Sequence, residues 1–382
     1  MAAIAVCGSI AQRPGRPGHA WAFLNYLLGF QELGYEVIFV DRLGAEMVDG
    51  AETAASLRSS PGARWLAATM RDAGLEGSYA LLLGDGGETS GMPRPELLER
   101  LRDSVLLLNV NGFLADRELL EAARKRVYLD IDPGFAQMWE EMGLAALPDG
   151  HDAFATVGLN VGKEGCAVPT VGRDWVTTLP PVVLDSWPAV PAGQGFTSIG
   201  SWRGPFDPVA YAGRSYGLRA HELRRFAELP RLLDAPFELA LDIAPEDHRD
   251  AELLREHSWR LADPLAVAGD STSYRRFIQG SLAEIAIAKG MYVETRSGWF
   301  SDRSACYLAS GKPVLALDTG FSSWLPTGEG LLRFSDLDEA AAGGEEICAD
   351  PERHSRAARA IAEEHFEAGR VLSGLLERLG VS

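Results

Sequence analysis

An α/β chain built as two doubly wound parallel domains with a cleft between them is what this sequence predicts, on three observations. A strand, a glycine-bearing loop, a helix and a second strand follow one another at the N-terminus. The same alternation restarts at Phe196, after the proline- and glycine-rich stretch Pro180 to Gly195. Between Ser297 and Phe321, a capped helix leads directly into a short run of apolar residues bounded by turn signals. At 382 residues there is room for two ordinary domains, each with its own core.

The elements follow in order. Ala3 to Cys7 is an apolar run ending at Gly8, the loop Gln12 to Gly18 is rich in proline and glycine, Ala20 to Leu33 has helical spacing, and Val37 to Val40 is the next strand. Further strands are expected at Ala80 to Leu83, Val105 to Asn109, Arg126 to Asp130 and Ala153 to Val157, with helices at Pro95 to Leu101 and Asp116 to Lys125. In the second half, strands are expected at Phe196 to Ile199, Phe237 to Leu241 and Leu265 to Ala268, and helices at Tyr216 to Leu229 and Tyr274 to Gly280. Leu282 to Ala288 reads equally as helix or strand. In doubly wound sheets, ligands sit at the carboxyl ends of the strands, so the loops after Cys7, Asp130, Ile199 and Leu317 are where chemistry is expected.

Composition removes several classes of function. The formal net charge of -18, from 36 Lys and Arg against 54 Asp and Glu, opposes nucleic acid or an anionic membrane as the main partner. It leaves room for a local positive pocket. Cys7, Cys166, Cys306 and Cys348 are widely spaced and form no CxxC pair, which suggests reduced thiols rather than a zinc site or a disulfide framework. No basic leader opens the sequence and no run of 18 apolar residues occurs, so a cytoplasmic protein is expected, and the Ala, Gly and Arg richness points to a GC-rich bacterial source.

The segment SGWFSDRSACYLASGKPVLALDTGF, Ser297 to Phe321, carries most of the functional signal. Gly298 lets backbone approach a ligand, and Ser301 and Asp302 are good N-caps. Gly311 and Pro313 end the helix, and Val314 to Leu317 reads as a strand buried on both faces. A helix start carries free N–H groups and partial positive charge, so a diphosphate could sit there, with Arg303 beside it and Ser301 and Ser304 as further donors. An ordinary capped helix between strands would show the same pattern.

Read with Asp318-Thr319-Gly320-Phe321, Gly328-Glu329-Gly330-Leu331-Leu332, Asp350-Pro351-Glu352-Arg353 and the helical Ala360 to Leu379, this segment resembles the C-terminal half of GT-B glycosyltransferases. The resemblance covers residues 196–382 well and residues 1–190 more loosely. It implies two Rossmann-like domains with a cleft: an acceptor-binding domain over 1–185, a linker over 186–195 and a nucleotide-sugar-binding domain over 196–362. Residues 363–382 would form a terminal helix packing back towards the first domain. It also implies sugar transfer from a nucleoside diphosphate sugar to a small-molecule acceptor such as a secondary metabolite. The nucleotide sugar would be a co-substrate, with no cofactor or metal, and homodimer formation is left open.

On that resemblance Gly200, Ser201 and Arg203 reach the diphosphate, as do Gly298, Ser301, Asp302, Arg303 and Ser304, while Asp318, Thr319 and Gly320 hold the donor sugar. His19 would sit in the first helical turn after the first strand, where a neutral imidazole can take a proton from an acceptor hydroxyl. Packing against Trp21 is its bland alternative. Asp130 and Asp132 lie two apart, so both carboxylates would point the same way, Asp130 to orient His19 or bind the acceptor and Asp132 to make the turn with Pro133-Gly134. Glu284 and Lys289 either face the nucleotide or pair on the surface, and Glu294 could reach a ribose. The Glu-x7-Glu pair of retaining relatives is absent, with Gly298 and Cys306 in its place, and His19 favours inversion. A non-catalytic binding relative and a nucleotide-sugar 2-epimerase are the alternatives.

Overall fold

Two sets of parallel strands organise the computed structural model, which describes residues 2–50, 53–84 and 87–381. The first sheet contains β1 (Ala3–Cys7), β2 (Glu36–Leu43), β3 (Tyr79–Leu83), β4 (Glu88–Gly91), β5 (Ser104–Val110), β6 (Arg126–Asp130), β7 (Ala153–Thr156) and β8 (Trp175–Thr177). Its order is β4-β3-β2-β1-β5-β6-β7-β8, and every pairing is parallel except β3 with β4. In the second half the chain makes β9 (Phe196–Ser201), the hairpin of β10 (Val209–Tyr211) and β11 (Arg214–Tyr216), then β12 (Phe237–Asp242), β13 (Trp259–Leu261), β14 (Ala283–Ala286), β15 (Val314–Leu317) and β16 (Leu331–Phe334). The second large sheet is all parallel, in the order β13-β12-β9-β14-β15-β16.

Both sheets reverse strand order at their first strand, between β1 and β5 and between β9 and β14. A doubly wound sheet opens a crevice at that point, because neighbouring crossovers depart to opposite faces. Helices cover both faces, so central strands such as β1 and β15 are buried along their whole length, which explains their unbroken apolar sequences.

The structure resolves one open element of the sequence reading and departs from it elsewhere. Leu282 to Ala288 resolves as strand β14, and Leu265 to Ala268 belongs to a short helix, Pro264–Ala268, started by the Asp263 side chain and Pro264. β4, β8, β10, β11, β13 and β16 were unread, being only three or four residues long. The expected helix at Tyr216 begins only at Arg219, because Tyr216 pairs with Val209 in the hairpin. A π-type turn, Ala362–Phe366, interrupts the terminal helix before it resumes as Ala368–Arg378.

That last helix crosses to the first sheet's side. Val182 N–H donates to Phe366 O at 2.7 Å and Ala368 N–H to Val182 O at 3.0 Å, and Lys125 Nζ donates to Leu379 O. It packs on the helix Pro17–Glu32 at Gly29, where an added Cβ would lie 2.6 Å from Leu372 Cδ1 and 2.8 Å from Ala368 Cβ. Gly374, on the same terminal helix, has nothing within 4 Å of an added Cβ. Alanine at a helical glycine gains up to about 1 kcal/mol, and overpacking costs about 1–3 kcal/mol. Urea denaturation is therefore expected to show Gly374→Ala stabilised by about 0.5–1 kcal/mol and Gly29→Ala destabilised by about 1 kcal/mol or more. Equal stabilisation of both variants would contradict the close helix contact.

Candidate active site in the interdomain cleft

The two strand-order reversals face each other across a cleft of about 710 Å³, lined from the first half by Ser9, Gln12, Arg13, His19 and Asp132 and from the second by Gly200, Ser201, Arg203, Asp302 and Arg303. Its first wall is the loop after β1. Asp41, fully buried at the end of β2, accepts the N–H of Ala11 and of Arg42, both at 2.6 Å, and so ties that loop to the sheet. The loop delivers His19 to the first turn of the helix Pro17–Glu32, whose start lacks both a side-chain cap and an acidic residue.

His19 Nε2 lies 2.9 Å from Ser9 Oγ and 3.1 Å from Ser9 O, and its ring meets Phe23 edge-on at 5.2 Å. A carbonyl oxygen only accepts, so this contact selects the tautomer protonated on Nε2 and leaves Nδ1 with the lone pair. Burial pushes His19 down to about 4; Arg13 adds to the effect, while the Ser9 carbonyl and Asp132 oppose it. The imidazole is neutral at pH 7.

Asp132 closes the floor of the cleft from the first half. Its Oδ1 accepts from Lys289 Nζ at 2.6 Å and from the Tyr292 hydroxyl, both in the second half, and Lys289 Nζ also donates to Tyr292 Oη at 2.9 Å. Burial alone would raise this carboxyl; Lys289, by charge and hydrogen bond, together with Tyr292 overrides it and holds Asp132 below the usual range. Tyr292 stacks on Trp299, with centroids 4.3 Å apart.

Opposite, near the end of β9, Gly200 lies beside two guanidiniums. A Cβ on Gly200 would sit 2.4 Å from Nη1 of Arg219 and 3.6 Å from Nη1 of Arg303. Arg303 Nε donates to Glu284 Oε1 at 2.6 Å and Nη1 to Ile199 O at 2.9 Å; Glu284 is fully buried, and its other carboxylate oxygen has no hydrogen-bond partner among the described residues. Arg219 has no ion pair among the described residues, and its Nε is buried without a partner; burial, then Arg303, lowers it to about 10. Lys289 lies at the cleft-lining Gly204, its Cε 3.8 Å from an added Cβ there.

No protein-family model matches the sequence, and no curated protein does. Solved structures do. TarM superposes with a TM-score of 0.56 at 10% identity, covering 99% of this chain and 98% of its own. HepE from Anabaena, crystallised with UDP, gives 0.54 at 11% identity over the whole of both chains, and sucrose-phosphate synthase from Thermosynechococcus elongatus gives 0.53 at 12% over 99% of each. This chain has the GT-B fold.

Within the GT-B frame, the residues singled out in the sequence divide into three groups. His19, Gly200, Ser201, Arg203, Asp302 and Arg303 all line the cleft. Arg203 is committed, however, donating from Nε to Asp247 Oδ2 at 2.7 Å and from Nη2 to Oδ1 of the same carboxylate. Ser301 and Ser304 are buried behind the wall.

Gly298, Asp318, Thr319 and Gly320 lie outside the main cleft, contrary to the donor-loop expectation. Gly298 N–H donates to Thr319 O at 2.8 Å, Thr319 Oγ1 to Trp299 O, and Asp318 binds Gly320 N–H at 2.8 Å and Ser322 Oγ at 2.7 Å. Asn160 of the first half seats on this turn, so Gly298 and Gly320 serve a clasp between the halves: a Cβ would come within 2.9 Å of Asn160 N or 2.7 Å of its Nδ2. Asp130 is likewise corrected. It is 1% exposed and bound to Gln137 Nε2, Thr156 Oγ1 and Asp132 N–H, with burial raising it to about 6, while the turn residue Asp132 faces the cleft. The chain bends at Ile131, so the two carboxylates diverge. Glu294 is exposed and outside the cleft, and Arg219 carried no sequence signal beyond being one arginine among several in a helical stretch.

The lowered His19 sets a pH signature. The unfolded chain binds this proton below about pH 6.5 and the folded protein only below about 4, so the stability contributed is complete above 6.5 and lost as pH falls to 4, about 3 kcal/mol in all. Guanidinium denaturation at pH 7 and pH 4.5 is expected to show a larger loss on acidification for the wild type than for His19→Gln. Equal losses would place the histidine in solvent.

Proposed function

We propose that the cleft binds a nucleoside diphosphate sugar and that the protein is a glycosyltransferase acting on a small-molecule acceptor, of the secondary-metabolite kind. The observation that carries this reading is Arg219: a guanidinium with a buried, unpartnered Nε and no carboxylate partner among the described residues, beside Arg303 near the carboxyl end of β9, with Lys289 at the neighbouring Gly204. Desolvating a cation without a counter-ion is costly, and a diphosphate would supply the missing charge. Three cations serve the developing charge of a departing diphosphate by the same means as a bound metal, so the reaction is read as metal-independent.

In this reading Gly200 and Ser201 present backbone to the phosphates, while Arg303, oriented by Glu284 and Ile199, and Arg219 bind their oxygens. Asp302, at the head of the helix Asp302–Ala309, faces the sugar. His19 takes the acceptor hydroxyl proton as the acceptor oxygen bonds to the anomeric carbon. The bond from that carbon to the phosphate oxygen breaks on the opposite side, and the electron pair leaves with the nucleoside diphosphate, inverting the configuration. Asp132, beside His19 in charge though bound to Lys289, favours the imidazolium that forms.

The test is a thermal-shift series with UDP, TDP, GDP and ADP on the wild type, Arg219→Ala, Arg303→Ala and His19→Ala. One nucleotide is expected to stabilise the wild type and His19→Ala, by about 2.7 kcal/mol at a hundredfold excess over Kd. Either arginine variant is expected to need roughly 10-fold more nucleotide or beyond for the same shift, the loss of a charge-assisted hydrogen bond. No shift with any nucleotide would overturn the reading.

A further inference from the structure

Beyond His19 the first half turns a different kind of wall to the cleft. Sheet order sets the carboxyl ends of β5, β6, β7 and β8 side by side after β1, and each is followed within three residues by one that lines the cleft: Phe113, Ile131, Val157 and Pro180. All four are apolar. Trp299 and Phe300 line it from the second half, and the Trp299 indole N–H donates to Ile131 O at 3.3 Å, which brings that ring against the same wall. The wall reaches the histidine, since Phe113 packs on Phe23 at 6.3 Å between centroids and Phe23 meets His19 at 5.2 Å.

The polar groups along this stretch are engaged with the protein itself. Ser9 is bound to His19, Asp132 to Lys289 and Tyr292, and Asn111 Oδ1 accepts the Ile131 N–H at 3.0 Å. A polyhydroxylated acceptor such as a sugar would lose water from its hydroxyls here and meet hydrocarbon in exchange, an uncompensated cost. A flat apolar molecule faces no such cost, and Phe113 and Trp299 favour stacking or edge contacts with another ring. Asn111 also lines the cleft, and its Nδ2, with no partner among the described residues, is free to donate to one oxygen of such a molecule.

The base gives a second, independent reason. An imidazole lowered to about 4 is weak, and proton transfer to it becomes easier as the proton donor becomes more acidic. A phenolic hydroxyl, at about 10, releases its proton far more readily than an alkyl hydroxyl, whose acidity is near that of water at about 15.7.

We infer that the acceptor is an aromatic compound whose reacting group is a phenolic hydroxyl, and that its ring lies between Trp299 and the wall of Phe113, Ile131 and Val157 with the hydroxyl at His19. The phenolic proton passes to the imidazole, the phenolic oxygen bonds to the anomeric carbon, and the nucleoside diphosphate departs with the electron pair of the broken bond. The word acceptor rests on the glycosyltransferase reading. The aromatic site itself does not depend on it.

The experiment is calorimetric titration of 2-naphthol, trans-2-decalol and methyl glucoside into the wild type, Phe113→Ala and Val157→Thr. Decalol has the apolar bulk without the ring or the acidic hydroxyl, and methyl glucoside has hydroxyls without the apolar face. The wild type is expected to bind 2-naphthol roughly 10-fold or more tighter than methyl glucoside, and also tighter than decalol. Either substitution is expected to weaken naphthol binding by roughly 10-fold. Val157→Thr keeps the side-chain shape and adds a hydroxyl, so it reads the contact even where Phe113→Ala impairs folding. Methyl glucoside or decalol bound as tightly as 2-naphthol, no binding of 2-naphthol, or a naphthol affinity unchanged in Val157→Thr would overturn the inference. The nucleotide series reports separately on the proposed function: naphthol binding without any nucleotide binding would sink that reading alone, and the reverse would sink only the aromatic site.

Discussion

The carboxylate of Asp132 holds the two halves in the register that makes a site. It is contributed by the first half, and both groups that satisfy it, Lys289 Nζ and the Tyr292 hydroxyl, come from the second. A carboxylate in this position loses much of its hydration, and the loss is tolerable only because a cation and a phenol converge on one oxygen. Around that point the seam is built from aromatic packing. Tyr292 stacks on Trp299, whose indole N–H donates to Ile131 O, and Lys289 lies over the rings of Phe135 and Phe206. At the opposite side the Asn160 side chain receives the Trp324 indole N–H at 2.7 Å and donates to Arg296 O at 2.9 Å. With Arg16 and Asp242 paired at the mouth, the cleft is fixed at three separated places.

This arrangement explains how a chain of net charge -18 can present a positive pocket. Most surface arginines are paired with neighbouring acids and cancel locally. At the end of β9 the count changes: Arg219, Arg303 and Lys289 meet only Glu284 and Asp132 as bound carboxylates. Glu284 does more than neutralise. Held at full burial, it fixes Arg303 Nε while Ile199 O fixes Nη1, so the guanidinium has one orientation and its remaining N–H groups have one direction. A fixed fork loses little entropy when an anion arrives, which is what distinguishes an oriented arginine from a solvated one.

How much of this could be read from the sequence depended on whether a signal was local. Strand β15 was legible because a buried parallel strand writes an unbroken apolar run, and the end of its preceding helix because Gly311 takes a positive φ of 69° that few other residues accept. Gly200 was legible as a residue at the end of a strand, and His19 and Arg303 as residues of a first helical turn, positions that face the ligand side of open α/β sheets. Arg219 was not, since its place at Gly200 comes from folding the hairpin β10–β11 in front of it, an insertion whose strands are three residues each. Asp130 and Asp132 were exchanged for a similar reason. Period-two alternation holds only within a strand, and β6 ends at Asp130. The turn Asp318 to Gly320 looked like a ligand loop because glycine at positive φ and a free carboxylate suit ligands and interdomain contacts equally well; only Asn160, 160 residues away, decides between them.

The tuning of His19 follows from the same geometry. The start of a helix and a nearby Arg13 both disfavour an imidazolium, and burial against Phe23 disfavours it further. Asp132 favours it, and Lys289 holds that charge in check. An anion bound among Arg219, Arg303 and Lys289 would compete with Asp132 for the lysine. As the lysine is drawn away, the carboxylate acts more strongly on His19 and favours its protonation, against the larger effect of burial. Coupling of this kind needs no movement of the domains. It requires only that one lysine, with its ammonium over three aromatic rings, have two anions within reach.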